Sequence, residues 1–256
     1  MSALSIERLE GGRLAELRLT AGKGNVLDRE AIGELSRAFA ELGEDAELRA
    51  ILLTAEGSNF SFGASVPEHV PGEVESMLPA FHQLFRDIAK SALPVIAVVQ
   101  GRCLGGGLEL ALAAHRIEVT ADAKLGVPEV TLGVFPPVAA AVLPLRVPQP
   151  VVDRLVTLGE IVSAEEALRV GLVDGLSDTL EQARAQALSW AHRYLELSAV
   201  AVRFATRAAR AGWDEALHTR LDSLEHLYLD QLMKTHDAKE GIAAFLERRV
   251  PNWKNA

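Results

Sequence analysis

The sequence predicts an α/β core followed by a helical C-terminal region. Three segments have the short, continuous apolar pattern of buried strands, at residues 50–54, 94–99 and 116–120. Helical patterns alternate with them through about the first 175 residues, and only helical patterns follow. Such alternation indicates a sheet covered by helices. We therefore expect a core over residues 1–195 and a helical region over residues 196–256 that serves in oligomerisation.

The other elements are predicted from hydrophobic periodicity and from capping residues. In chain order they are a β-hairpin over residues 3–20 that turns at Gly11-Gly12, a helix capped by Asp28 that runs to about Leu42, a helix from about Met77 to Lys90, and a short buried helix from Leu108 to Ala114. In the second half, Ser163, Asp178 and Asp237 each precede a glutamate by three positions, which predicts helix starts. An apolar stripe at residues 221–233 predicts a core or subunit contact.

Composition limits the classes of protein to which the chain can belong. At 256 residues and 49% hydrophobic, it can bury a large core. It has no run of 18 uncharged apolar residues, and its start lacks the basic and apolar segments of a signal peptide. The single cysteine, Cys103, cannot form an intrachain disulfide, so we expect a cytoplasmic protein. A net charge of −9 without a basic block disfavours nucleic acid and anionic membranes as partners.

Three consecutive glycines, Gly105 to Gly107, open the short buried helix. Glycine lets a ligand approach the backbone closely, and the N–H groups in the first turn of a helix are unpaired. The segment can therefore donate a hydrogen bond to an oxygen that gains negative charge, with the carboxylate of Glu109 one turn further on. Two simpler interpretations stay open here: the glycines form only a tight turn, or Glu109 forms a buried ion pair with Arg102 or Arg116.

Three motifs in the core, taken together, resemble the signature of one superfamily. They are Phe60–Glu68 (FSFGASVPE), Gly101–Glu109 (GRCLGGGLE) and Leu125–Gly133 (LGVPEVTLG). In this order and at this spacing they make the chain similar to the crotonase (enoyl-CoA hydratase/isomerase) superfamily over nearly its whole length. The resemblance implies a spiral of ββα units, C-terminal helices that pack between subunits, and a homotrimer or homohexamer. It also implies an acyl-CoA substrate without any metal or separate cofactor.

The resemblance further implies the roles of the central residues. The N–H groups of Ala64 and Gly106 would form an oxyanion hole for the thioester oxygen, which gains negative charge when water adds to the conjugated acyl group. Glutamate at both 109 and 129 is typical of the hydratases in this superfamily. We expect Glu109, where the helix dipole favours the ionised carboxylate, to activate water. Glu129 would then donate a proton to carbon.

Two further sets of residues follow from the resemblance. Contacts to the CoA portion are expected from Lys23, Ala64, Val66 and Arg248. An apolar acyl pocket is expected from Phe62, Val134, Phe135 and Pro136.

The chain also departs from the usual superfamily pattern in three places. Ser65 stands where aspartate is usual, residues 133–140 (GVFPPVAA) replace a glycine-rich stretch, and Tyr228–Glu247 (YLDQLMKTHDAKEGIAAFLE) is also distinctive. These departures are similar to hydratases that act on a cyclic dienoyl-CoA in anaerobic aromatic degradation. This implies hydration of cyclohexa-1,5-diene-1-carbonyl-CoA to 6-hydroxycyclohex-1-ene-1-carbonyl-CoA. Two alternatives stay open: a hydratase of straight-chain 2-enoyl-CoA, and a non-catalytic module on the same scaffold that binds acyl-CoA or RNA.

Overall fold

A computed structural model describes residues 2–256. The strands are β1 (Leu4–Leu9), β2 (Leu14–Leu19), β3 (Ala50–Ala55), β4 (Val95–Val99), β5 (Arg102–Leu104), β6 (Arg116–Thr120), β7 (Lys124–Gly126), β8 (Ile161–Ser163) and β9 (Gly175–Ser177). The helices are α1 (Arg29–Glu44), α2 (Val74–Ser91), α3 (Gly106–Leu112), α4 (Pro137–Val142), α5 (Gln149–Leu158), α6 (Ala164–Arg169), α7 (Leu180–Leu195), α8 (Ala199–Ala209), α9 (Ala211–Glu215), α10 (Leu221–His226) and α11 (His236–Leu246). The predicted α/β class is confirmed.

The strands form a large and a small sheet. The large sheet has the order β1-β2-β3-β4-β6-β9 and is parallel except for the β1–β2 hairpin, which is antiparallel as predicted. The small sheet has the order β5-β7-β8. The chain alternates between the sheets, so that β4 leads into β5 and then α3, while β6 leads into β7 and then a short 3-10 turn, Pro128–Leu132. The segments that follow β5 and β7, which are α3 and the 3-10 turn, therefore begin at the same end of the small sheet.

The helices cover both faces of the large sheet. On one face α1 and α2 pack together over the main core, to which Phe39, Phe60 and Phe85 contribute fully buried side chains. On the other face α7 presents the small residues Ala183 and Ala187 to the sheet. Alanines allow the helix to lie close to the strands. None of the helices in residues 2–256 has the length and apolar character needed to cross a membrane.

Two of the predicted helix starts agree with the structure. The Asp28 side chain accepts a hydrogen bond from the Ala31 N–H at 2.9 Å, and the Ser163 side chain accepts one from Glu166. The prediction for Asp178 is wrong by one residue.

Thr179 caps α7 in place of Asp178. Its hydroxyl accepts from the Gln182 N–H, and the Gln182 side chain accepts from the Thr179 N–H. This reciprocal pair leaves Asp178 outside the helix.

The prediction that Asp237 begins the last helix is also wrong. Thr235, two residues earlier, has the extended backbone of an N-cap, and its side chain accepts from the Ala238 N–H. Asp237 lies inside the first turn, and its carboxylate accepts from the N–H groups of Lys254 and Asn255, at 2.8 and 2.7 Å. The residue therefore ties the C-terminal tail to the start of α11.

Candidate active site

The Ala64 amide lies in the loop that follows β3. Leu27 forms a short bridge with this loop: the Leu27 N–H donates to the Gly63 carbonyl at 2.9 Å, and the Ser65 N–H donates to the Leu27 carbonyl at 3.0 Å. The Ala64 N–H therefore faces away from Leu27, and it donates to no other group in the described chain. A Cβ at Gly63 would lie 2.8 Å from the Leu104 carbonyl oxygen, so glycine is needed where the two loops meet.

The glycine run brings a second free amide beside the first. Gly105 has φ +52° and ψ −130°, a conformation open mainly to glycine, and its N–H donates to the Gly126 carbonyl at 2.9 Å. Gly106 begins α3, so its N–H has no acceptor within the helix. A Cβ on Gly106 would lie 3.0 Å from the Ala64 nitrogen. The two amides expected to form the oxyanion hole are thus adjacent.

Glu109 is buried on α3, one turn after Gly106, with 2% of its surface exposed. Its Oε1 accepts a hydrogen bond from the Ala139 N–H at 2.8 Å. Burial raises the pKa of Glu109 to about 7, while the N–H groups of Ala139 and Val138 oppose this rise. The N–H groups that favour the ionised carboxylate belong to the start of α4.

The alternative ion pairs of Glu109 are absent from the described residues. Arg116 pairs with Glu118 at 2.5 Å, and its guanidinium also lies 4.1 Å from the ring centre of Trp190. Arg102 is exposed at the edge of the small sheet. Glu109 therefore has backbone donors but no cationic partner.

Glu129 extends from the 3-10 turn that follows β7. Its Oε1 lies 2.6 Å from the position that a Cβ on Gly105 would occupy. Its Oε2 is buried and has no hydrogen-bond partner within residues 2–256. Burial first, and the neighbouring Glu109 carboxylate second, raise the pKa of Glu129 well above its ordinary value. Two neighbouring carboxyl groups that each disfavour ionisation of the other titrate as a coupled pair and not independently.

Two cavities meet at the amides of Ala64 and Gly106. The inner one, which we call the acid chamber, has a volume of about 20 Å³. Its lining includes Ala64, Gly106, Glu109, Glu129, Phe135 and Tyr228. The second, which we call the outer chamber, has a volume of about 300 Å³ and shares Ala64, His69, Gly106 and Glu129 with the first. Since a water needs at least about 10–15 Å³ of such space, the acid chamber has room for one.

The residues expected to line the acyl pocket are divided between the chambers. Phe62 and Val134 line the outer chamber, together with Val66, which was expected to contact CoA. Phe135 and Pro136 line the acid chamber. The structure thus brings all five to one continuous site.

The two basic residues expected to bind CoA lie near the rim of the outer chamber. Lys23 is exposed and precedes Gly24, which packs so closely on the Phe62 ring that a Cβ there would lie 2.5 Å from it. Arg248 is exposed just after α11, and its N–H donates to the carbonyl of Phe245, which lines the chamber. Both cations are therefore exposed next to residues that belong to or contact the outer chamber.

Sequence reasoning missed one polar residue of the site. Tyr228 belongs to the stripe predicted as a core or subunit contact, yet its ring lines the acid chamber. The packing of α10 against α2 and α4 brings it there, across more than 90 residues of chain from either acid. Hydrophobic periodicity cannot distinguish such a residue from a core tyrosine.

Two other side chains, those of His69 and Cys103, lie in or next to the site. His69 lines both chambers, and its Nδ1 lies 2.8 Å from the Ser65 carbonyl oxygen, while burial lowers its pKa. Cys103 is fully buried behind the glycine run, where burial raises the pKa of its thiol. Within residues 2–256, no group of three or more His, Cys, Asp or Glu side chains is arranged to hold a metal ion.

Comparisons with known proteins agree with this geometry. Residues 11–256 match the family described as enoyl-CoA hydratase/isomerase. The chain is 43% identical to cyclohexa-1,5-dienecarbonyl-CoA hydratase of Thauera aromatica over 255 residues, which cover 99% of this chain and 98% of that protein. It is 35% identical to a probable enoyl-CoA hydratase of Bacillus subtilis over 250 residues, covering 94% and 95% of the two chains.

Solved structures show the same fold. An enoyl-CoA hydratase/isomerase from Pseudoalteromonas atlantica has a TM-score of 0.87 at 26% identity, covering 98% of this chain and 99% of that one. An enoyl-CoA hydratase from Mycobacterium avium subsp. paratuberculosis has a TM-score of 0.86 at 26% identity, with 98% of each chain covered. The expected crotonase-like fold is confirmed, and the chain belongs to the enoyl-CoA hydratase/isomerase family.

Proposed function

We propose that this protein hydrates cyclohexa-1,5-diene-1-carbonyl-CoA to 6-hydroxycyclohex-1-ene-1-carbonyl-CoA. Family membership and the hydratases among its relatives make the chain a hydro-lyase acting on a CoA thioester. The cyclic substrate is supported by the 43% identity to the Thauera aromatica protein over nearly the whole chain. The observation that carries the hydration chemistry is the buried Glu109 together with Glu129, whose Oε2 atom is buried, beside two free amides.

The thioester supplies the electron sink for the reaction. Water adds through its oxygen to the β carbon of the diene, and the electrons move through the conjugated system to the thioester oxygen. The N–H groups of Ala64 and Gly106 stabilise the resulting negative charge. The dienolate then takes a proton at the far end of the conjugated system, and the ring keeps one double bond next to the thioester. One water is consumed. Its hydroxyl group is bonded to one terminal carbon of the former diene, and a proton is bonded to the other terminal carbon.

The surroundings of the two acids support a division of roles. Glu109 receives N–H donors from α4 and has a pKa of about 7, whereas the pKa of Glu129 is raised further by the charge of Glu109. At neutral pH a single shared proton therefore resides mainly on Glu129. Glu109 would accept the proton from water, and Glu129 would donate its proton to carbon. The proton must return from Glu109 to Glu129 before the next turnover.

The chambers suggest how the substrate enters. The thioester carbonyl would lie at the boundary between them, where both amides are shared. The ring would contact the apolar side chains Phe62, Val134, Phe135 and Pro136. The CoA arm would pass Val66 toward Lys23 and Arg248 at the rim.

The experiment is a comparison of two substrates with the purified protein. Cyclohexa-1,5-diene-1-carbonyl-CoA should be hydrated efficiently and crotonyl-CoA poorly. Glu109→Gln and Glu129→Gln, tested separately, should each lose about 10²-fold or more of kcat. Efficient hydration of crotonyl-CoA without turnover of the diene would favour a straight-chain enoyl-CoA hydratase. Tight binding of CoA thioesters without any turnover would favour a non-catalytic module.

We also propose that residues 196–256 form an oligomerisation region of a trimer or hexamer. Around its start, Leu197, Val200 and Phe204 expose 54%, 65% and 65% of their surface. Exposed large apolar side chains that lie close together commonly mark an interface. Light scattering should give three or six times the mass of 27.5 kDa, and a monomeric mass would contradict this proposal.

A further inference from the structure

Tyr228 places a third polar group in the acid chamber, and the roles proposed above for the two glutamates leave it without a task. Its side chain is 1% exposed, and its hydroxyl has no hydrogen-bond partner within residues 2–256. The chain has two tyrosines, and the other, Tyr194, lies on α7 on the opposite face of the large sheet. A buried hydroxyl without a partner is unfavourable, so its position calls for a ligand.

A second unpartnered atom faces the same space. Glu129 Oε2 is buried without a hydrogen bond, and Glu129 and Tyr228 both line the acid chamber. The phenol and the carboxyl group do not bond each other directly. The volume of about 20 Å³ is sufficient for one water and for little more. One water in this chamber can satisfy both groups.

We propose that the Tyr228 hydroxyl is a catalytic group that holds the attacking water together with the two glutamates. This rests on the hydration chemistry proposed above. The phenol O–H donates to one lone pair of the water oxygen, and the second lone pair remains free to attack carbon. A water O–H points to Glu109, which takes the proton as the C–O bond forms. Tyr228 neither gains nor loses a proton in this step.

The surroundings of Tyr228 suit a fixed, neutral donor. Its ring meets the Phe135 ring edge-on, with centroids 5.3 Å apart and an interplanar angle of 63°. One turn earlier in the same helical run, Glu225 Oε2 lies 2.6 Å from Nδ1 of the buried His82 on α2. The turn that carries Tyr228, Leu227–Gln231, is a π-helical segment, a distortion that often occurs at functional sites. Burial, with the nearby glutamates, raises the pKa of the phenol, which keeps it protonated.

The test is Tyr228→Phe, which keeps the ring and removes only the hydroxyl, with Tyr194→Phe as the matched control. We expect kcat of Tyr228→Phe to fall at least about tenfold with KM nearly unchanged, since the water and not the thioester loses a contact. Tyr194→Phe should keep the wild-type kcat. Equal kcat for Tyr228→Phe and wild type would overturn the proposal.

Both substrates of the function test should be used. If the wild type hydrates crotonyl-CoA but not the diene, the proposed substrate is wrong, yet Tyr228→Phe must still lose activity because the attacking water is the same. If the wild type hydrates neither, both proposals fail. The two results are therefore distinguishable.

A spectroscopic measurement covers the case in which Tyr228→Phe folds poorly. Protein labelled with 3-fluorotyrosine should give two ¹⁹F resonances, and the Tyr194→Phe variant should retain only that of Tyr228. This resonance should shift when the hydroxyacyl-CoA product of the substrate that turns over is added. An unchanged resonance at saturating product would place Tyr228 away from the reacting atoms and overturn the proposal.

Discussion

Replacing Glu109 with glutamine should stabilise the protein against unfolding, and the gain should grow with pH. In the unfolded chain this carboxyl has an ordinary pKa of 4.5, whereas burial raises the pKa to about 7 in the folded protein. Between these values the folded state holds a proton that the unfolded state has released. The free energy of unfolding therefore falls as pH rises from about 4.5 to about 7.

The size of this effect follows from the two pKa values. At about 1.4 kcal/mol for each pKa unit, a rise from 4.5 to about 7 corresponds to about 3 kcal/mol, lost once Glu109 is ionised. Glutamine has no charge to bury, and its side-chain oxygen can still accept from the Ala139 N–H. Removing the charge also lowers the pKa of Glu129, which acts in the same direction.

Urea unfolding at pH 5 and pH 8, at one fixed protein concentration, measures the difference. Glu109→Gln should resemble the wild type at pH 5 and exceed it by about 2–3 kcal/mol at pH 8. Glu181→Gln on the exposed side of α7 is the matched control for the loss of one carboxylate at a site outside the acid chamber. A difference in unfolding free energy between Glu109→Gln and wild type that stays constant or narrows as pH rises would contradict this prediction.

The kcat/KM of the wild type should fall about tenfold for each pH unit well below 7, as Glu109 becomes protonated, and a flat profile down to pH 5 would contradict its role as base. Gly105→Ala should lower kcat by about 10²-fold, because the new Cβ would lie 2.6 Å from Glu129 Oε1 and displace that carboxyl group. CoA thioesters should still bind to this variant in calorimetry. An unchanged kcat would show that Glu129 is free to move. Arg184→Met should lower the free energy of unfolding by about 2 kcal/mol, because Glu16, which is 1% exposed and has a pKa of about 2, loses this partner. Breaking a buried ion pair usually costs about 3–5 kcal/mol, and the loss is smaller here because Arg18 also pairs with Glu16. A loss below about 0.5 kcal/mol in urea unfolding would contradict that prediction.

The long elements of the fold were predictable because each one has a periodicity of its own. Strand β6 matches its predicted range, and α1 begins after the predicted Asp28 cap. The three-residue strands β5, β7, β8 and β9 were missed, because three residues give no reliable period. Strands β5, β7 and β8 form the small sheet that holds the site, where the Gly105 N–H donates to the Gly126 carbonyl at the end of β7. The sequence therefore predicts the motifs without the small sheet that brings them together.

The site residues divide in the same way. Ala64, Gly106, Glu109 and Glu129 lie within local motifs, and the fold brings all four to one chamber. Tyr228 comes from a helical stripe that no local pattern connects to the glutamates. Contacts between distant elements, such as α10 with α4, decide its location. Sequence motifs therefore identify the site residues that lie within them, and they do not identify a residue that reaches the site only through tertiary packing.

The proposed roles of the two glutamates follow from their surroundings, because the side chains are chemically identical. Glu109 Oε1 has the Ala139 N–H, whereas Glu129 Oε2 has no protein donor. A donor to the ionised form lowers a carboxyl pKa, so the N–H groups of Ala139 and Val138 make Glu109 the easier acid to ionise. Its charge then disfavours ionisation of Glu129 and keeps a proton there. In the proposed mechanism the backbone of α4 thus makes Glu109 the base and Glu129 the proton donor, at the cost in stability that Glu109→Gln is designed to measure.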